Sequence, residues 1–232
     1  MIRIHDRGVR GTTNTGWLDS KHTFSFGNFY DPNRMGFRSL RVINDDRVIP
    51  GAGFDTHPHK DMEIVTLILK GELEHKDSLG TGSVIRPGEI QRMSAGTGIL
   101  HSEFNPSRDS GVHLLQIWIL PEQRGLTPSY EQKSFDAAKG NGDFVLVGDR
   151  YGTDGAVTIH QDVKMLLARM TEGKETAYTF EKGRSGFLHV TKGMVTLNGE
   201  ILKEGDGAEI SDVDTITLSA QTDSDVLLFD MR

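Results

Sequence analysis

Residues 56–71 read Thr56-His57-Pro58-His59-Lys60-Asp61-Met62-Glu63-Ile64-Val65-Thr66-Leu67-Ile68-Leu69-Lys70-Gly71. Two imidazoles two residues apart on an extended backbone point to one face. The proline between them confines that segment to a sheet edge or the start of a strand. From Glu63 to Leu69 the run is apolar and β-branched, too short for a stable helix and closed by Lys70-Gly71, so it predicts a strand. A histidine pair able to grip one ion thus lies just ahead of a core strand.

The same texture extends outward. Val112 to Leu120, Asp143 to Val147, Val163 to Met170 and Val226 to Phe229 predict further strands, and 27 glycines punctuate them. Asn198-Gly199, between Val195-Thr196-Leu197 and Glu200-Ile201-Leu202, predicts a two-residue hairpin turn, because both turn positions need positive φ. The fold class is therefore all-β, a sandwich or barrel of short strands, and 232 residues suit two domains. Lys70-Gly71 before Glu72-Leu73-Glu74 echoes Lys192-Gly193 before Met194-Val195-Thr196-Leu197, and Gly88-Glu89 echoes Gly205-Asp206. The spacings between these landmarks differ, so an internal repeat is suggested by the sequence without being established by it. Pro121 to Gly142 is polar and reads as a linker, with one helical turn expected near Tyr130 to Ala138.

Composition excludes several classes of function. There is no cysteine, which removes disulfides, thiolate catalysis and iron–sulfur clusters and leaves His, Asp and Glu as metal ligands. Lys and Arg number 26 against 33 Asp and Glu, for a net charge of -7, and no basic run is present to neutralise a phosphate backbone, so direct nucleic-acid binding is not expected. Met1 to Arg7 is charged and lacks the apolar core of a signal peptide, and no stretch approaches the roughly 18 apolar residues of a membrane span. A cytoplasmic protein, free of the membrane and monomeric, is the expectation.

His101-Ser102-Glu103 repeats the two-residue spacing with an imidazole and a carboxylate, in a run from Gly98 that reads as loop passing into strand. Two adjacent strands would bring three nitrogens and one oxygen together. Such a set suits one borderline divalent transition ion, iron, manganese, cobalt, nickel, copper or zinc, whereas calcium and magnesium prefer oxygen shells. Either pair alone is equally well a pair of unrelated surface residues; the combination favours a shared ion.

The sequence resembles the cupin family, whose first motif is met by Gly51, His57, His59 and Glu63, with Gly71 one place later than the pattern asks. The second motif stands as Gly96-Thr97-Gly98-Ile99-Leu100-His101 and then Asn105, with Gly96 where the family has proline. It is more closely similar to the pirin family, over nearly the whole chain. That resemblance rests on Gly16-Trp17-Leu18-Asp19-Ser20, His22-Thr23-Phe24-Ser25-Phe26, Leu40-Arg41-Val42-Ile43-Asn44-Asp45-Asp46, the segment Thr56 to Glu63, and Ser94-Ala95-Gly96-Thr97-Gly98 through Glu103. It implies a bicupin, two jelly-roll-like cupin β-barrels in tandem. Residues 1–130 would form a metal-binding domain and 131–232 a degenerate one without metal. It also implies that His57, His59, His101 and Glu103 hold one ion, iron foremost, and so picks Glu103 over Glu63.

The same resemblance implies a quercetin 2,3-dioxygenase acting on a small planar phenolic substrate and O₂ and releasing carbon monoxide, with Glu103 taking the proton of the flavonol hydroxyl. Its rival is a non-catalytic metal-dependent sensor or co-regulator that binds a partner protein. Glu63 is expected beside the site as a hydrogen-bond or salt-link partner. His22, His75 and His113 read as core or rim residues, and His5, His160 and His189 carry no assigned chemistry. Phe24, Phe26, Phe29 and Tyr30 could line a pocket, although aromatics in a β-core usually pack; Asp45-Asp46 reads as a turn. In the second half, Thr179, Glu181, Leu218 and Ala220 stand where His57, His59, His101 and Glu103 would be required.

Overall fold

The computed structural model describes residues 1–232, the side chain of Ala138 excepted. Among the described residues the chain is built of β-strands and three short 3-10 turns, and no helix is long and apolar enough to cross a membrane.

One unit comprises residues Arg10–Phe135 and Val157–Gln161. Its larger sheet runs, neighbour to neighbour, Ser129–Ser134, Glu89–Ser94, Glu63–Lys70, Val112–Ile119, Leu40–Val48, Leu18–His22 and Gly11–Asn14. Its smaller sheet runs Gly53–His59, Ile99–Phe104, Leu73–Asp77 and Gly82–Ile85. Leu18, Val48, Ile68, Val112 and Leu114 of the larger sheet pack on Leu73 and Ile85 of the smaller, the sandwich that alternating inward side chains produce. Gly53–His59 is an edge strand, which is where Pro58 is tolerated.

The other unit comprises Met1–Val9, Asp136–Ala156 and Asp162–Arg232. It holds the strands Ile2–His5, Gly207–Ile210, Ser185–Lys192, Ser224–Met231, Val163–Met170 and Val145–Asp149 in that order, and a second sheet of Glu175–Thr179, Thr215–Ala220, Met194–Leu197 and Glu200–Lys203. The order of the small sheets and of the four central strands is the same in both units, so each is a cupin barrel and the echo in the sequence is a structural repeat. The chain does not divide at one point near residue 130. Its first strand pairs with Gly207–Ile210 in the second barrel, and Val157–Gln161 returns to the first.

Two local expectations are corrected. Within the expected linker, Ser129–Ser134 is a strand paired with Glu89–Ser94, and the helical turn is confined to Ala137–Gly140. This edge strand is half-buried along its length, so no polar and apolar alternation marks it. Asp45 and Asp46 are strand residues, both buried, because His113 and Arg10 neutralise Asp45 and Asp46 accepts a hydrogen bond from Ser20. The Asn198-Gly199 hairpin forms as the dipeptide demands, with φ of 46° and 94°.

Candidate metal centre

In the small sheet of the first barrel His57 lies opposite His101, and His101 opposite Asp77; in the next row Glu103 lies opposite His75. A bulge between His101 and Glu103 sets three residues, 55–57, against two. Such an extra residue bends a strand and re-aims its side chains. Here it turns the Asp55 carbonyl toward Nδ1 of His57, 2.7 Å away. Gly53 is required at the same place, since a Cβ there would stand 2.2 Å from the Glu103 carbonyl oxygen.

The imidazoles of His57, His59 and His101 converge, with one ligating nitrogen of each within 4.8 Å of the others. Nε2 of His57 is 3.0 Å from Nε2 of His101, while Nε2 of His59 is buried without a hydrogen-bond partner. His57 commits the proton on Nδ1 to Asp55, so its Nε2 offers a lone pair. Nδ1 of His101 faces His75, which leaves Nε2 of His101 as the second lone pair. Two nitrogens at this separation can share a proton or flank a cation. Two nitrogens each about 2.1 Å from one ion and at right angles would stand about 3.0 Å apart. The residues fit a bound ion.

Charge points the same way. Burial, then the charges of His57, His59 and His75, push His101 down to about 2, and burial with His57 pushes His59 down to about 4. Both rings are therefore neutral at physiological pH, the state in which imidazole ligates. Glu103 is buried and raised, chiefly by desolvation, against the opposing hydrogen bond from Gln116 and the charges of His75 and His57. Its carboxylate falls within 4.8 Å of His75 and His101 as a second group, and His101 is the member common to both groups.

Glu103 is held by the opposite sheet. Nε2 of Gln116 donates to its Oε2 at 2.7 Å and Oγ1 of Thr66 donates to its Oε1 at 3.5 Å. Gln91, Thr66, Gln116, Asn44 and His22 are successive cross-strand partners, so they form one polar row through the larger sheet. The four corresponding partners in the second barrel are Ala208, Leu188, Leu228 and Leu166, all in its aliphatic core. There, Leu218 and Ala220 are also core residues, and Leu218 pairs with Thr176 rather than with Thr179.

Other sequence candidates find different places. Glu63 is buried and contacts none of the three imidazoles; it accepts hydrogen bonds from Ser94 at 3.0 Å and from the His160 backbone at 3.1 Å, with the His160 ring also at 3.1 Å. Asn105 is structural, its amide donating to the carbonyls of Val48, Ile49 and Ser110. Of the aromatic cluster, Phe24 is core and Tyr30 is exposed. Phe26 instead packs edge-on against Trp118 at 5.3 Å, and Trp118 packs edge-on against His59 at 5.0 Å. Trp118 also donates to Gln116 at 3.4 Å. His75, Asp77, Thr66, Gln116 and Trp118 were not legible as site residues, although His75-Lys76-Asp77 has the two-residue spacing of both recognised pairs.

Two barrels on one strand order, the first with convergent imidazoles and the second packed with aliphatic side chains, define a bicupin with its candidate metal centre in the first barrel. The family profile described as Pirin matches residues 4–119, and that described as Quercetinase C-terminal cupin domain matches 146–231. The chain belongs to the pirin family. It is 49% identical over 231 residues to a protein of Escherichia coli (strain K12) named Quercetin 2,3-dioxygenase, covering 100% of this chain and 99% of that one. It is 41% identical over 221 residues to a Pirin-like protein of Caulobacter vibrioides, covering 95% of each. The crystal structure of the bacterial pirin YhhW from Escherichia coli in complex with nickel(II) matches with a TM-score of 0.95 at 47% identity, covering 100% of this chain and 99% of that one.

Proposed function

We propose that this protein is a cytoplasmic, monomeric, metal-dependent dioxygenase that opens the heterocycle of a flavonol such as quercetin with O₂ and releases carbon monoxide. His57, His59, His101 and Glu103 would hold one divalent transition ion, iron foremost, though the donors also accept manganese, cobalt, nickel, copper or zinc. The observation that carries the metal reading is the facing pair of Nε2 atoms, 3.0 Å apart, beside the unpartnered Nε2 of His59. Support for the substrate comes from full-length relatives named for quercetin cleavage.

A bound ion would supply Lewis-acid polarisation of the flavonol hydroxyl and a template for the two reactants. The chain supplies the rest. Glu103, held by Gln116 through one oxygen, accepts the hydroxyl proton. Gln116 fixes one of its oxygens and leaves the other with only the long contact from Thr66. Trp118 and Phe26 form an aromatic wall next to His59, suited to the face of a planar phenol. The polar row behind Glu103 keeps donors and acceptors within the barrel, where the corresponding row of the second barrel is aliphatic.

The test is aerobic incubation of metal-loaded protein with quercetin, following loss of flavonol, O₂ uptake and carbon monoxide. All three should change together. No turnover with iron, manganese, cobalt, nickel or copper, at confirmed occupancy, would replace this reading with the metal-dependent sensor.

A further inference from the structure

Asp77, His75 and His101 form a chain of polar contacts on the inner face of the small sheet. Oδ2 of Asp77 lies 3.0 Å from Nε2 of His75, and Nδ1 of His75 lies 3.5 Å from Nδ1 of His101. Nε2 of His101 then meets Nε2 of His57. The side chains of His75 and Asp77 are fully shielded from solvent. The other Asp77 oxygen, Oδ1, accepts the backbone N–H of Leu79 at 2.8 Å and of Thr81 at 3.1 Å, so the turn fixes the carboxylate. The His75 ring lies against Tyr130, with centroids 4.9 Å apart and planes 33° apart.

This chain has one consistent polarity. A carboxylate only accepts, so Nε2 of His75 carries a proton, and in the neutral ring Nδ1 carries the lone pair. That lone pair faces Nδ1 of His101, which must be the protonated nitrogen, and the lone pair of His101 is left on Nε2. At 3.5 Å the last link is long, and its effect is to orient a ring already confined by packing. Ligating histidines commonly have their other N–H fixed in this way by a carboxylate or carbonyl; here a second imidazole is interposed.

We propose that His75, held by Asp77, is a positioning residue that fixes the ring and tautomer of His101 so that its Nε2 lone pair points into the three-imidazole centre. The proposal rests on the metal-centre reading above. His75 is not asked to touch ion or substrate.

Asp77→Asn tests it, because the variant keeps Oδ1 for the turn and changes only what faces His75. The amide NH₂ donates to Nε2 of His75, whose proton must move to Nδ1. There it opposes the Nδ1 proton of His101, which moves to Nε2 and obstructs ligation. Each imidazole still carries one proton. In the metal-free parent, side-chain ¹⁵N spectra should show His101 protonated on Nδ1; in Asp77→Asn they should show it protonated on Nε2. Nickel(II) affinity, measured by chelator competition, should fall about 10- to 100-fold. A purely structural role would shift the thermal midpoint of the metal-free protein without changing the tautomer.

Protonation of His101 on Nε2 in the parent, or unchanged nickel affinity in a folded Asp77→Asn, overturns the proposal. If the variant does not fold, the spectrum of the parent still decides. A parent that takes up no nickel overturns the metal centre itself, and its nitrogen pattern continues to judge the relay separately.

Discussion

Thr66 and Leu188 occupy the same place in the two barrels, fourth in an eight-residue strand that lies between the same neighbours. Thr66 donates toward Glu103, whereas Leu188 is core. An aliphatic row offers a buried charge no compensation, and burying a charge without partners is costly. The first barrel alone should therefore bind a transition ion. Elemental analysis of nickel-loaded protein should give one ion per chain, with His59→Ala and His101→Ala each losing most of it. Full occupancy in both variants would refute the ligand assignment.

Gln116 links that row to the centre by donating to Glu103 and accepting from Trp118. Gln116→Leu has a similar volume but leaves Glu103 without its shortest hydrogen bond, which raises the carboxyl further and unfixes it. Turnover should fall by roughly 10-fold or more, since a hydrogen bond to a charged group is worth about 1.5–3 kcal/mol. Nickel affinity should change much less, because the three imidazoles are untouched. Equal losses in affinity and turnover would mean that Gln116 supports the ion rather than the base.

The strands and the histidine pairs were legible because each depends on local spacing: a β-branched run bounded by glycine, two imidazoles two residues apart, an Asn-Gly turn. The site's supporting residues depend on register, which spacing does not reveal. Gln116 becomes functional only because it lies opposite Thr66 and under Glu103, and Trp118 only because the same strand carries it past His59. The 55–57 bulge, which aims His57, leaves no trace in composition. Asp45-Asp46 misled for a related reason. Adjacent acids suggest a turn unless their partners, Arg10 and His113 for Asp45 and Ser20 for Asp46, are known to come from other segments.

Asp45 makes a prediction of its own. It is buried and contacts Arg10 at 3.0 Å, Arg47 at 3.0 Å and His113 at 2.7 Å. Burial draws its pKa upward, but the hydrogen bond and charge of His113, with Arg47 and Arg10, hold it below the usual carboxylate range. A depressed folded-state pKa stabilises the protein above the ordinary value near 4, and that contribution is lost as pH falls. Asp45→Asn should cost roughly 3 kcal/mol at pH 7 by denaturant unfolding, the lower end for a broken buried pair because Arg47 is half exposed. The difference from the parent should shrink on acidification; a difference independent of pH would reject the ionic account.

Asp46 has the opposite sign. Burial, with the charges of Glu103, Asp45 and Asp19, pushes it up to about 7 against the hydrogen bond from Ser20. A raised carboxyl favours the neutral form in the folded state, so stability decreases as pH rises from the ordinary value near 4 toward 7. Asp46→Asn removes this dependence. Relative to the parent, its unfolding free energy by denaturant titration should improve progressively between about pH 4 and 7, by an amount on the order of a few kcal/mol, and then level off. A constant offset across that range would show that Asp46 ionises in the folded protein as readily as in the unfolded chain.

Glu103→Gln separates ligation from proton transfer. The amide keeps the shape of the side chain and a neutral oxygen donor, but it is a far poorer base. Its oxygen can still accept from Gln116, and its NH₂ can donate to the Thr66 hydroxyl, which turns from donor to acceptor. If Glu103 takes the flavonol proton, kcat should fall by about 100-fold or more, the usual contribution of a positioned general base, while nickel content falls by much less. The two effects are read on one sample, by elemental analysis and by quercetin loss. Turnover that falls only in proportion to metal content would make Glu103 a ligand without a catalytic role, and turnover preserved at full occupancy would remove it from the proposed mechanism altogether.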